Sequence, residues 1–358
     1  MRLSLRSFAA ACVAAAVAFV PACSKSSTAP KPLAAGEKPK IGVVTNCVDP
    51  FWTLARAGAK KAETDFNCDV QFREPETADV ATQMTIVEDL QRAGLNGLAV
   101  SVIKPADQAA PLKAVGASVP FITMDNDSPD SGRLCYIGVN NYEAGKAAGR
   151  LVKQAMPDGG TVALFIGNVS SANAQDRIGG VIDELAGKKD SPRTKGAKLG
   201  KYTLDDIHTD GDDRLVAADK PADAVQRLRG SGGLCLVGLY AYNTPAIVTA
   251  VKAKGAQSQV KIVGFDESED TLKGIADGLV YGTVVQDPFQ YGYLSVEVLA
   301  AVARGDKSKA VDKTIPARVV TKAGGPDDTA GGVPVKNVAV AAFEAKLKAD
   351  LASGKGAK

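Results

Sequence analysis

Histidine, tryptophan, paired cysteines and long apolar runs are all scarce in this chain of 358 residues, and each scarcity removes a class of function. There is one His, His208, and one Trp, Trp52. A lone His leaves no Ser-His-Asp or Cys-His set to assemble. Cys47, Cys68, Cys135 and Cys235 include no CxxC pair, and with one His they offer no Cys/His metal site. Cys47 and Cys68 flank the first expected helix and stand roughly 20 Å apart at its rise per residue. A disulfide needs Cα atoms within about 7 Å, so unpaired, mostly buried thiols are expected. No GxGxxG or phosphate-cradling loop is present, so no nucleotide cofactor is implied. Past the N-terminus no stretch is long and apolar enough to span a bilayer. Aromatics make up only 5% of the chain.

What is there begins with a targeting segment. Arg2 and Arg6 precede an almost wholly apolar run, Phe8 to Val20, and Val20-Pro21-Ala22-Cys23 resembles the cleavage box of a bacterial lipoprotein. The reading is a signal peptide over 1–23 with Cys23 lipidated, placing the protein in the periplasm or cell envelope on a membrane anchor. Residues 24–39, rich in Ser, Ala, Lys and Pro, read as a flexible tether. Loss of Arg2 and Arg6 leaves 41 basic against 40 acidic residues. With near-neutral charge and no basic stripe bearing aromatics, nucleic acid is not an expected partner.

From Lys40 onward, apolar β-branched runs alternate with helical spacing. The runs are Ile41–Thr45, Val70–Phe72, Leu98–Val102, Phe121–Met124 and Tyr136–Val139, then Val162–Ile166, Tyr202–His208, Leu234–Leu239, Ile262–Phe265 and Thr283–Val285. Leu54, Gly58 and Ala62 mark one helix face between them. Strands this apolar, separated by helices, imply parallel sheets covered on both faces. The fold class expected is α/β, with two doubly wound parallel-sheet lobes joined by a three-segment hinge. Lobe 1 is placed at 40–139 with 288–306, and lobe 2 at 140–287 with 310–322. Residues 323–358 read as a Gly-rich loop and a helix.

In open α/β sheets, ligands bind beyond the carboxyl ends of the strands. Those ends carry a consistent chemistry here. The first run leads to Asn46, Asp49, Phe51 and Trp52, and the fourth to Asp125 and Asn126. The first strand of the second set leads to Arg177. Asn243, Asp266 and Gln286 follow three later strands. Carboxylates, amides and a guanidinium match ligands whose hydroxyls both donate and accept. Asp49-Pro50 looks like a helix start, and the Phe51–Trp52 pair at that turn offers an aromatic face to the C–H side of a sugar ring. Structural roles stand beside each of these. Trp52 could pack helix on sheet, Asp125 and Asp266 could cap helices, and Arg177 could be a solvated helix residue.

In order and spacing these residues resemble the bacterial periplasmic sugar-binding proteins of the ribose-binding type, whose ligand domain is shared with the lactose-repressor family. The resemblance runs from about Lys40 to Lys322. It is carried by Asp49-Pro50-Phe51-Trp52, Phe121-Ile122-Thr123-Met124-Asp125, Asn173-Ala174-Gln175-Asp176-Arg177-Ile178-Gly179-Gly180, Val263-Gly264-Phe265-Asp266 and Val284-Val285-Gln286. It implies a type I periplasmic binding protein, likewise monomeric, that closes on a monosaccharide and hands it to an ABC-type permease. Asp49, Phe51, Trp52 and Asp125 would then be contacts from the first lobe, and Arg177, Asn243, Asp266 and Gln286 contacts from the second lobe and hinge. Two positions depart from the pattern. Asn126 stands where the ribose binder has an Arg, and Asp210-Gly211-Asp212-Asp213 stands where an aromatic is usual, with Tyr240 or Tyr242 as substitutes. The other readings are a nucleoside or signalling ligand presented to a membrane sensor, and an enzyme. A glycosidase would need a carboxylic acid of raised pKa, whereas neighbouring Arg, Asn and Gln favour ionised, binding carboxylates, so no catalysis is expected.

Overall fold

The computed structural model describes residues 32–34, 36–327 and 335–355. The expected signal peptide, Cys23 and most of the tether lie outside them. The first lobe opens with β1 (Lys40–Val44), α1 (Phe51–Asp65), β2 (Asp69–Arg73) and α2 (Val80–Arg92). It continues through β3 (Gly97–Val100), α3 (Pro105–Gly116), β4 (Phe121–Met124) and β5 (Tyr136–Gly138). The chain then crosses into α4 (Asn141–Ala155), β6 (Gly160–Ile166), α5 (Ala172–Ala186), β7 (Lys198–Leu199) and β8 (Tyr202–Thr209). There follow α6 (Arg214–Leu228), β9 (Leu234–Gly238), α7 (Asn243–Ala253), β10 (Val260–Phe265), α8 (Glu269–Ala276) and β11 (Gly282–Val285). Last come α9 (Pro288–Ala303), β12 (Lys313–Thr314), β13 (Arg318–Thr321), β14 (Lys336–Ala339) and α10 (Val340–Lys355).

Two sheets result. One has six strands in the order β12-β5-β4-β3-β1-β2, and the other eight in the order β14-β13-β11-β10-β9-β6-β8-β7. Pairing is parallel except where β13 meets β11 and β7 meets β8. Helix α9 returns to pack on α1 and the first sheet. The segment expected in the second lobe at 310–322 is divided: β12 pairs with β5 in the first sheet, while β13 pairs with β11 in the second. Two-residue β12 is too short to show an apolar run, which is why the sequence hid its allegiance. The C-terminal segment also gains a strand, β14, parallel to β13, and its helix runs past Ser353-Gly354.

Both lobes position their site helix by a close crossing. A Cβ on Gly58 of α1 would lie 1.9 Å from the Phe289 carbonyl oxygen of α9, and one on Gly292 equally close to that of Ala55. In the second lobe a Cβ on Gly145 of α4 would lie 2.3 Å from the Arg177 carbonyl oxygen of α5. The helix face read as apolar spacing is therefore a small-residue face, on which backbones touch. Cys47, Cys68, Cys135 and Cys235 are unpaired.

Candidate functional site

A cavity of about 560 Å³ lies between the lobes, at the carboxyl ends of the strands of both sheets. Of the residues expected there, Asn46, Asp49, Phe51, Trp52, Asp125, Arg177, Asp266 and Gln286 line it. Asn126 and Asn243 do not. Asn126 is buried, donating from Nδ2 to the Val102 carbonyl (2.7 Å) and accepting from the backbone N–H of Asn173 (3.3 Å). Asn243 accepts from the Tyr240 N–H and donates to Asp210 Oδ2 at 2.9 Å. Both side chains are consumed holding backbone and neighbours, a competition that strand-end position alone does not reveal.

Asp125 and Asp266 occupy equivalent places in the two lobes. Each follows a central parallel strand and adopts a left-handed backbone, φ 59° and 63°. Asp tolerates that region better than most side chains because its short polar group bonds locally. Both backbones are pinned: the Asp125 carbonyl accepts from the Tyr136 hydroxyl at 2.7 Å and that of Asp266 from Thr283 Oγ1 at 2.9 Å. Both carboxyls are buried. Asp125 Oδ2 accepts from Ser101 Oγ (2.9 Å), and Asp266 Oδ1 from Gln286 Nε2 (2.8 Å). Gln286 is itself fixed by Tyr291, whose hydroxyl donates to its Oε1 at 2.9 Å.

Arg177 supplies the buried cation. Its Nε donates to Asn141 Oδ1 and one Nη to the Leu239 carbonyl, both at 2.9 Å, its plane lies 4.0 Å over the Phe265 ring, and it stands 4.0 Å from Asp266. The neighbouring guanidinium does not hold these acids ionised as the sequence suggested. Desolvation outweighs Arg177 at Asp125, whose carboxyl is raised above its ordinary range, and at Asp266, pushed up to about 7 with Asp125 and Asp49 adding repulsion. Burial and Asp210 raise Asp212, another lining residue, to about 6. Hydrogen bonds from ligand hydroxyls to the carboxylates would favour their charged form.

The aromatic wall holds both Phe51 and Trp52, at different depths. Trp52 is 2% exposed and belongs to the core, its indole Nε1 donating to Asn46 Oδ1 at 3.2 Å. Phe51 meets it edge-on at 5.0 Å and is only half-buried. Across the cavity stand Tyr240 and Tyr242. Tyr240 donates to Asn173 Oδ1 (3.1 Å) and Tyr242 to Asp210 Oδ1 (2.7 Å). Asp49 is also partly engaged. Its Oδ1 caps the N–H of Phe51 at 2.8 Å, while Oδ2 pairs with Arg214 of the other lobe. With Ser171 Oγ donating to the Ile103 carbonyl at 3.3 Å, this pair shows the cleft closed.

Ser171, Asn173, Asp212 and Arg214 line the cavity without having been selected as contacts from the sequence, and both tyrosines named as substitute aromatics line it too. Each follows a strand end, so the same rule could have found them. Asn173 lay inside a quoted motif and Arg214 directly after the four residues read as a departure. His208 is structural, stacked on Phe165 at 4.8 Å with Nε2 3.2 Å from Asp205. Cys47 lines the cavity, but burial and Asp49 push its thiol up to about 12, so it is no nucleophile at neutral pH.

A model of the periplasmic binding protein domain matches residues 41–307. Xylose/arabinose-binding protein XylF of Sulfolobus acidocaldarius is 26% identical over 270 residues, 70% of this chain and 62% of that protein, so the match spans less than two thirds of XylF. Ribose import binding protein RbsB of Salmonella typhimurium is 27% identical over 281 residues, 75% of this chain and 86% of that one. Among solved structures, an ABC transporter solute-binding protein from Burkholderia graminis in complex with D-arabinose superposes with a TM-score of 0.74 at 26% identity, covering 81% of this chain and 97% of that one.

Proposed function

The chain belongs to the periplasmic binding protein family, and on that premise we propose that it binds a monosaccharide between its lobes and delivers it to an ABC-type permease. The observation that carries the reading is the convergence of Asp125 and Asp266 from opposite lobes on one cavity, with Arg177 and Gln286 beside them and Phe51, Tyr240 and Tyr242 on its walls. Carboxylates take hydroxyl protons, Arg177 and Gln286 donate to hydroxyl oxygens, and the aromatics cover C–H faces. The protein acts as a binder rather than an enzyme, in the periplasm or cell envelope, a monomer held to a membrane through lipid on Cys23. Relatives that bind ribose, xylose or arabinose favour a pentose.

Calorimetry with D-arabinose, D-xylose, D-ribose, D-glucose and D-galactose tests this. A pentose is expected to bind with micromolar or tighter affinity. Binding of a nucleoside with no response to any of the five sugars would overturn the sugar reading and leave the family intact. Metabolic labelling with a fatty-acid analogue, lost in Cys23→Ala, tests the anchor.

A further inference from the structure

Helix α10 lies beyond the family match, which ends at residue 307, and none of its residues lines the cavity. Its inward stripe follows the helical period: Val340, Phe343, Leu347, Leu351 and Gly354 are buried or half-buried while the residues between them are mostly exposed. The first half belongs to the second lobe. Val340 and Phe343 are part of that lobe's core, with Leu347 packed against it. Lys346 stands 3.8 Å from Asp287, the residue that caps α9 where the chain re-enters the first lobe, and Arg318 spans from Asp287 (3.2 Å) to the Phe343 ring (5.2 Å). The second half lies along α1 of the first lobe. There a Cβ on Gly354 would fall 2.7 Å from both Cα and Cβ of Ala57. Only a residue without a side chain permits that approach, so the contact is fitted at both ends of one helix.

Three chain crossings already join the lobes, and all can bend. A rigid helix anchored in one lobe and seated on the other is a different kind of link. Opening the cleft displaces α1 relative to the second lobe, and α1 carries Phe51 and Trp52 at its start. We propose that α10 is a strap that holds the lobes together and biases the ligand-free protein toward the closed form. Its effect on ligand follows from population arithmetic: a closed state already populated removes part of the conformational cost of binding.

Small-angle X-ray scattering of the ligand-free full chain tests this without reference to any ligand, so its outcome is independent of the sugar reading. The unaltered protein is expected to scatter as the closed form. Gly354→Leu, which leaves Phe343 and Leu347 in place, is expected to raise the ratio of open to closed molecules by about tenfold. Ala57→Leu, which approaches the same contact from α1, should do the same. Scattering identical in the unaltered chain and in both leucine variants would overturn the proposal, as would an unaltered chain that is open throughout.

Discussion

Asp125 and Asp266 show how one side chain can carry a backbone requirement and a chemical one together. Both sit at positive φ with buried carboxyls. Replacement by Ala removes the carboxyl and also strains the left-handed backbone by roughly 1–2 kcal/mol, confounding the two roles. Asn keeps the local conformation. Asp125→Asn and Asp266→Asn are therefore expected to lower affinity for the best sugar at least tenfold by calorimetry, while the melting temperature at pH 5, where these acids are protonated in the ligand-free protein, stays near that of the unaltered protein. Retained affinity in both would remove them from the site. The aromatic pair divides in the opposite way. Both line the cavity, but Trp52 is buried in the core and Phe51 is half-exposed. Trp52→Ala should cost about 3–5 kcal/mol of stability in denaturant titrations, whereas Phe51→Ala should cost mainly binding. An equal stability loss for both would reject that division. The sequence marked the pair as conspicuous, but adjacent positions on a helix point in different directions, and only packing says which one faces out.

Elements were legible wherever apolar runs were long. Phe121–Met124 spans the same residues in sequence and structure, and the other long runs differ from their strands by a residue or two, because a strand buried on both faces needs continuous apolar residues. Strands β7 and β12, two residues each, offer no such run. The strand-end rule brought eight expected residues to the cavity. It misplaced Asn126 and Asn243 because amides satisfy backbone groups as readily as ligands. Helix spacing carried more than it first conveyed. Gly58 and Gly292 let α1 and α9 cross with backbone in contact, and that crossing sets where α1 delivers Phe51. Gly58→Ala is expected to force the helices apart and cost about 1–3 kcal/mol, read as a lower denaturation midpoint. Ala at exposed Lys60 in the same helix should leave the midpoint unchanged; a neutral Gly58→Ala would mean the crossing yields without cost.

At the scale of the whole molecule, closure concentrates acid where solvent is scarce. Asp266 and Asp212 are held up to about 7 and about 6, and burial together with Asp266 raises Glu267 well above its ordinary range, its carboxylate oxygens buried without hydrogen-bond partners. In the unfolded chain such groups titrate near 4. Between about pH 4 and pH 7 the folded ligand-free protein thus binds more protons than the unfolded chain, so its stability falls as pH rises through that window. The opposite group is Asp205, held low by Arg227 and His208, and Asp183, held low by Ser191 and Tyr142. Their contribution is present above about pH 4 and lost below it. The melting temperature of the ligand-free protein is accordingly expected to peak near pH 4 and to decline toward pH 7. Asp266→Asn should flatten the decline, since an amide does not titrate. A melting temperature that climbs from pH 4 to 7, or an unchanged slope in Asp266→Asn, would show that the lobes open enough in solution to hydrate these carboxyls. That result would bear on α10 as well, because a strap that failed to hold the cleft closed would leave Asp266 solvated and its titration ordinary.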